Sequence, residues 1–306
     1  MKFSDRSKEI PLRQTANRND TGFFYIILAL MKYKVSLAVT FTAITGYIVC
    51  SGKFDIQILF LSVGVFIIAG GASALNEYQE RNYDAKMERT KNRPIPAGKI
   101  SPRNALLISI LLIVLGASIL YFFFGMVTAL LGLFNIFWYN LLYTNLKRIT
   151  PFAVVPGSLT GAVPIFIGWT AAGGSFLDST VVFIGFFIFI WQIPHFWLLM
   201  LKYGDEYEAA GFPTINQSIN PQNLKRIIFS WIVATSASSI MVPLFLVNIS
   251  MVFFIIIFAL NILFVLTFAK LSFGKVADLN LKKSFISINI YMLLFMVILA
   301  VYHLLV

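Results

Sequence analysis

The sequence predicts an all-α, polytopic membrane protein of about nine transmembrane helices, and three observations predict it. First, 58% of the 306 residues are hydrophobic and only 12% are charged. With a mean hydropathy of +0.83, the chain lies outside the range of soluble globular domains. Second, apolar runs recur along the chain between short polar segments, most of them long enough to cross a hydrocarbon core of about 30 Å. Third, the bases are lopsided. With the N-terminus inside and the runs threaded alternately, 23 of 24 Lys and Arg residues fall on the inner side, and only Lys53 lies outside. A miscount of one span would swap the side of every later loop and destroy that bias. The expectation is therefore an integral cell (inner) membrane protein with a cytoplasmic N-terminus and its C-terminus on the outer side. The net charge of +11 serves orientation, and no nucleic acid partner is expected. A single cysteine, Cys50, excludes a disulfide framework or a multi-cysteine metal site.

Residues 1–21 are polar, carry five bases and no apolar h-region, and read as a cytoplasmic tail. Residues 22–306 read as one transmembrane domain. Phe23 to Met31 reads as a short interfacial segment, and Val35 to Cys50 as a first span that is short unless the stems of Lys32 and Lys34 snorkel to the headgroups. Further spans are expected over Ile56–Tyr78, Asn104–Phe124, Met126–Asn145, Pro151–Ala172, Thr180–Leu201, Leu224–Val247, Met251–Leu271 and Ser284–His303.

One polar stretch, Asn76 to Ser101 (NEYQERNYDAKMERTKNRPIPAGKIS), stands out by packing four acids and six bases into 26 residues. Asn76, Glu80, Asp84 and Glu88 recur every four residues. If the preceding helix continues, each step advances about 6 Å along the axis and about 40° around it. Asn76, Glu80 and Asp84 then share a face, as oxygen ligands for a hard cation would. Arg89, Lys91 and Arg93 follow, and Pro94 and Pro96 end the helix. Acids for a metal beside bases suit a phosphate-rich ligand. Glu77 and Glu88 read as solvated neighbours. A second inner segment carries Asp205, Glu206 and Glu208, so seven of the thirteen acids lie in two segments. Acids are not needed to set topology, and the two clusters suggest a metal-bridged anion between them.

Two further stretches carry chemistry. In Tyr143 to Pro151 (YTNLKRITP), Lys147 and Arg148 are positive-inside anchors if taken alone. Beside the acids, Lys147 becomes a candidate phosphate ligand, with Tyr143 a ring one turn away. Pro156, Gly157, Gly161 and Pro164 mark a kinked, closely packed fifth helix. In Trp191 to Pro213, Gln192 and His195 are polar groups inside an apolar run, where function is the default hypothesis. His195 could ligate haem iron, relay a proton, or hydrogen-bond to a neighbouring helix.

These three stretches resemble the haem O synthase (protohaem IX farnesyltransferase) family of UbiA-type intramembrane prenyltransferases. The resemblance covers about Lys32 to Pro213 and is carried by ALNEYQERNYDAKMERTKNRPIPAGKIS, YTNLKRITP with PGSLTGAVP, and WQIPHF. It implies a UbiA-type bundle with an active-site cavity open to the cytoplasmic face. The implied reaction moves farnesyl from farnesyl diphosphate to a vinyl group of haem b, with water added, giving haem O and pyrophosphate. The superfamily's first acidic motif, Asn-x3-Asp-x3-Asp, falls on Asn76, Glu80 and Asp84, with Glu in place of the first Asp. Its second falls around His195, Lys202, Asp205 and Glu206, with only the last two acidic. The family usually has Asp where Glu206 stands and a second proline where Ile165 stands.

The implied cofactor is Mg²⁺ on Asn76, Glu80, Asp84 and Asp205 or Glu206, with haem b a substrate. Arg89, Lys91, Arg93 and Lys147 would neutralise the leaving pyrophosphate, and the Tyr143 face would stabilise the allylic cation. Arg148, or Lys32 with Lys34, would meet the haem propionates. Gln192 and His195 would border the acceptor. The implied partners are the lipid bilayer and a haem A synthase or terminal oxidase assembly that receives the product. Two alternatives stay open: a UbiA-type enzyme with a phenolic acceptor, and a transporter of an anionic solute or haem.

Overall fold

The computed structural model describes residues 22–215, 219–246, 249–273 and 280–306. The tail over 1–21, Val247 and Lys275 lie outside the described residues. A short helix α1 (Phe23–Leu30) leads into α2 (Tyr33–Ser51), α3 (Gln57–Asp84), α4 (Pro102–Phe124) and α5 (Met126–Ile136). A π-helical segment, Phe137–Tyr143, and the short α6 (Thr144–Leu146) complete the fourth span. The fifth span is α7 (Val154–Gly157) followed by α8 (Leu159–Ala171). It is followed by α9 (Ser179–Ala210), α10 (Pro221–Met241), α11 (Met251–Phe273) and α12 (Leu281–Leu305). Among the described residues, nine helical spans are long and apolar enough to cross a membrane.

Span positions follow the expected ones, and the differences lie at helix ends. The second span runs six residues past Tyr78 to Asp84, and the sixth runs nine past Leu201 to Ala210. At 28 and 32 residues these helices are about 42 and 48 Å long, well beyond a hydrocarbon core of about 30 Å. Polar residues beyond the core continue the helix, because intrahelical bonds satisfy the backbone there as well as water does. The last turns of α3 and α9 lie beyond the length that a span needs and carry the acids.

Close backbone approach holds the bundle together. A Cβ on Gly46 or Gly168 would collide with the carbonyls of Ile165 and Ala43, so α2 and α8 pack main chain to main chain. Gly71 and Gly116 do the same between α3 and α4, against Ser109 and Ile68. At the far side, the Tyr291 hydroxyl donates to Ser239 Oγ at 2.8 Å and lies 3.0 Å from Asn261 Oδ1. Ser239 donates to Asn261 at 2.8 Å, so α10, α11 and α12 share one buried polar clasp.

Candidate active site

A cavity of ≈ 400 Å³ opens between α2, α3, the π segment, α8, α9 and the start of α12. Its polar end is built from the last turns of α3. Asn76 and Glu80 are each 3% exposed and Asp84 is fully buried, and all three line the cavity, as their four-residue spacing predicts. Each has a basic partner. Lys32 Nζ donates to Asn76 Oδ1 at 2.7 Å. Lys147 Nζ grips both Glu80 oxygens, at 2.7 and 2.9 Å. Arg93 Nη1 meets Asp84 Oδ2 at 2.6 Å.

The segment after α3 folds back over it. Thr90 Oγ1 donates to the Asp84 carbonyl at 2.9 Å, and the Ile95 amide donates to Glu77 Oε1 at 3.0 Å. Glu77 is fully buried rather than solvated. It fastens the stretch that carries Arg93, a role that its place beside the acidic face in sequence did not reveal. Glu88 does lie in solvent, paired with Lys91 at 2.6 Å.

These partners set the charge states. Burial disfavours the charged form of Lys147, but Glu80 outweighs it and holds the pKa above the ordinary lysine value. Asp84 likewise outweighs burial at Arg93. Lys32 has no carboxylate of its own. Burial, followed by the charge of Arg93, pulls its pKa down to about 7. Its backbone sits at φ 46°, the one left-handed non-glycine residue among the described residues. That conformation costs about 1–2 kcal/mol, and strained positions of this kind cluster at functional sites. It turns the ammonium from the α1–α2 junction onto Asn76.

The π segment forms the facing wall. Its wide turn brings Tyr139 and Tyr143 into a stack at 5.9 Å, and both line the cavity. The extra backbone freedom is satisfied from α3. Gln79 Nε2 donates to the Asn140 carbonyl at 3.0 Å, and Asn140 Nδ2 donates to Ala72 O at 3.0 Å. Such π turns are frequent at functional sites. Beyond the rings, Val65, Ile68, Ile136 and Ile167 make an apolar interior, and Gln192, His195, Phe196 and Phe285 close the opposite side.

Several sequence-derived candidates are not brought into the wall. Asp205 is exposed, and Glu206 accepts the Arg89 backbone N–H at 3.1 Å; neither lines the cavity. The end of α9 turns these acids away and presents Tyr207 instead. Arg89 does line the cavity, with its guanidinium donating to the Tyr207 hydroxyl at 2.9 Å. Lys91 stands at the surface with Glu88. Arg148 donates to Gln79 O at 2.8 Å and lies over the Tyr83 ring, so it braces α3 from outside. Lys34 is exposed. Sequence reasoning missed Tyr139 and Phe285. The four-residue spacing from Tyr139 to Tyr143 was the available signal for the first, and nothing local marked the second.

The donor set suits a hard cation. Asp84 Oδ1 is buried with no hydrogen-bond partner, while Asn76 and Glu80 offer further oxygens on the same face. Among the described residues no three His, Cys, Asp or Glu side chains cluster tightly enough to cage a metal by themselves.

Comparison with known proteins places this architecture. Residues 39–303 match the UbiA prenyltransferase family. The chain is 40% identical over 223 residues to the protoheme IX farnesyltransferase of Bartonella bacilliformis, covering 71% of this chain and 70% of that one. It is 35% identical over 218 residues to the enzyme of the same name from Geobacter sulfurreducens, covering 71% and 80%. Among solved structures, a digeranylgeranylglyceryl phosphate synthase superposes with a TM-score of 0.75 at 18% identity, over 92% of this chain and 99% of that one. A UbiA homologue from Archaeoglobus fulgidus bound to DMAPP and Mg²⁺ gives 0.71 at 15% identity, over 92% and 99%. With a helical bundle, an acid-and-base cavity and a family match over most of its length, the chain belongs to the UbiA prenyltransferase family.

Proposed function

We propose that this chain transfers the farnesyl group of farnesyl diphosphate to a vinyl group of haem b, with water added, giving haem O and pyrophosphate. The relatives named for that reaction support the substrates. One observation carries the chemistry: Asn76, Glu80 and Asp84, each held by a base, sit at one end of a cavity whose remaining wall is apolar and aromatic. That polarity matches a diphosphate with a long isoprenoid tail.

Asn76, Glu80 and Asp84 would hold Mg²⁺, with Asp205 or Glu206 joining if the end of α9 turns inward; bound there, the ion supplies positive charge against the leaving diphosphate. Before substrate arrives, Lys147 and Arg93 keep the carboxylates in place. Once the diphosphate enters, the same ammonium and guanidinium, with Arg89 and Lys32, are within the polar end to neutralise charge as the farnesyl C–O bond breaks. The faces of Tyr143 and Tyr139 stabilise the allylic cation. Val65, Ile68, Ile136 and Ile167 keep water away until a haem vinyl carbon captures it.

The bias of bases supports a cavity mouth at the cytoplasmic face of the cell membrane, with 22–306 as one transmembrane unit behind the 1–21 tail. A haem A synthase or terminal oxidase assembly is the fitting recipient of the product. Purified protein mixed with Mg²⁺, haem b and farnesyl diphosphate is expected to release pyrophosphate and yield a haem of the haem O mass. Release with 4-hydroxybenzoate but not haem b would instead establish the phenolic acceptor.

A further inference from the structure

Two neutral polar groups stand alone in the apolar part of the cavity, and the packing puts them at one depth. The π segment and α9 belong to the fourth and sixth spans, so they run the same way through the bundle. They meet where Tyr143 stacks on Phe196, with ring centroids 6.1 Å apart. One turn back on each lie Tyr139 and Gln192, and both line the cavity. Neither the Tyr139 hydroxyl nor the Gln192 amide has a hydrogen-bond partner among the described residues, and neither is sealed in protein. The Gln192 amide rests on Gly161, which also lines the cavity: a Cβ there would fall 2.6 Å from Oε1 and 3.3 Å from Nε2. Polar groups left without partners in apolar surroundings are costly, and the cost is recovered when a ligand supplies the partner.

We propose that Gln192 and Tyr139 hold the water that is added to the acceptor, and so decide which product leaves the site. This rests on the proposed reaction with haem b. As the farnesyl C–O bond breaks, its electron pair leaves with pyrophosphate. The vinyl π pair then joins the terminal vinyl carbon to farnesyl C1, leaving the carbon beside the porphyrin ring cationic. A water oxygen shares a lone pair with that carbon, and its surplus proton goes to pyrophosphate, the base that the reaction itself releases. With no water in place, the cation closes by losing a proton from the newly bonded carbon, giving an alkene. An amide and a phenol suit a water, because each accepts one of its O–H groups while its lone pairs stay free for attack. Neither carries the charge that a haem propionate needs. A water with two or more polar partners stays ordered in an apolar site, so it is kept from the farnesyl cation and reserved for the second one.

The test supplies haem b, farnesyl diphosphate and Mg²⁺ to full-length wild type, Gln192→Met, Tyr139→Phe and Gly161→Ala in lipid nanodiscs. Extracted porphyrins are separated by chromatography and identified by mass spectrometry. The readout is the ratio of haem O to the alkene, a farnesylated haem lighter by one water. Gln192→Met and Tyr139→Phe are each expected to lower that ratio about tenfold, because each removes one partner of the water and keeps the shape. Gly161→Ala keeps both groups but pushes the amide aside, and is expected to shift the ratio in the same direction. The ratio does not depend on how much protein is folded, so a variant that loses activity through packing alone keeps the wild-type ratio. The wild-type ratio in all three variants, however much product each forms, would overturn the water-positioning role and leave the reaction intact. Wild type that forms no farnesylated haem from haem b would overturn both.

Discussion

The two acidic segments, Asn76–Asp84 and Asp205–Glu208, are alike in composition and opposite in structure. Each ends a long helix that outruns the membrane, and each has bases nearby. In the first, Glu80 and Asp84 are buried, face the cavity and are gripped by Lys147 and Arg93, with Lys32 on Asn76 beside them. In the second, Asp205 and Glu208 lie in solvent and Glu206 is engaged with the Arg89 backbone. Acidic composition is shared, but spacing is not, since Asn76, Glu80 and Asp84 recur every four residues and Asp205, Glu206 and Glu208 crowd into four; among the described residues the second segment also lacks an opposing wall of cations. An acid held in low dielectric by a base is poised for exchange, whereas an acid in water is already satisfied.

Substitutions separate the two segments. The largest effect is expected at Asp84→Asn, which keeps the shape and one oxygen but removes the charge. Haem O formation, followed by chromatography, should fall about 100-fold or more in protein that remains folded, and near-normal product would remove Asp84 from the reaction. Next is Lys147→Met, which leaves Glu80 buried and unpaired. Unfolding stability should drop by about 3–5 kcal/mol, with Glu80→Gln/Lys147→Met recovering more than half. A double variant as unstable as the sum of the singles would mean that the pair is not coupled.

Tyr143→Leu should lower turnover about tenfold, and Tyr143→Phe much less, because the ring face and not the hydroxyl is at issue. Lys32 offers a pH test. Its folded pKa is lowered to about 7 from the ordinary 10.5. Between those values the unfolded chain holds a proton that the folded chain has released, so stability should rise with pH across that window and stay flat below it. The Lys32 contribution is at most about 1.4 kcal/mol per pH unit, and Lys32→Met should abolish it. The smallest effects belong to the second segment: Asp205→Asn and Glu206→Gln in the absence of substrate should change stability by under about 1 kcal/mol. A loss of activity at Asp205→Asn comparable to that at Asp84→Asn would break the contrast and show that the end of α9 turns inward when substrate binds.

Much of this was legible in the chain. Apolar runs and the bias of bases located the spans, since both signals are one-dimensional. The i, i+4 face of Asn76, Glu80 and Asp84 was legible because a helix converts spacing into direction. What was not legible depended on three-dimensional placement. Lys32 reaches Asn76 through a left-handed residue that no local pattern announces. The outward aim of Asp205 and Glu206 depends on how a 32-residue helix with Pro194 in its interior leaves the bundle. Glu77 looked like a surface acid because its partner, the Ile95 amide, exists only after the following segment folds back.

The π segment Phe137–Tyr143 bears on which length changes the gene can tolerate. A π turn accommodates one residue more than an α-helix would in the same span, and the phase on either side is kept. Removal of one residue there, unlike removal elsewhere in the fourth span, should leave Asn135 and Lys147 in register with α8 and α3. The change should fall on the paired rings of Tyr139 and Tyr143, which lie within the turn that it shortens. Such a deletion variant should therefore keep the Glu80–Lys147 ion pair and its fold while losing the aromatic wall. The place where this helix most readily absorbs a length change is also where its reactive surface is set.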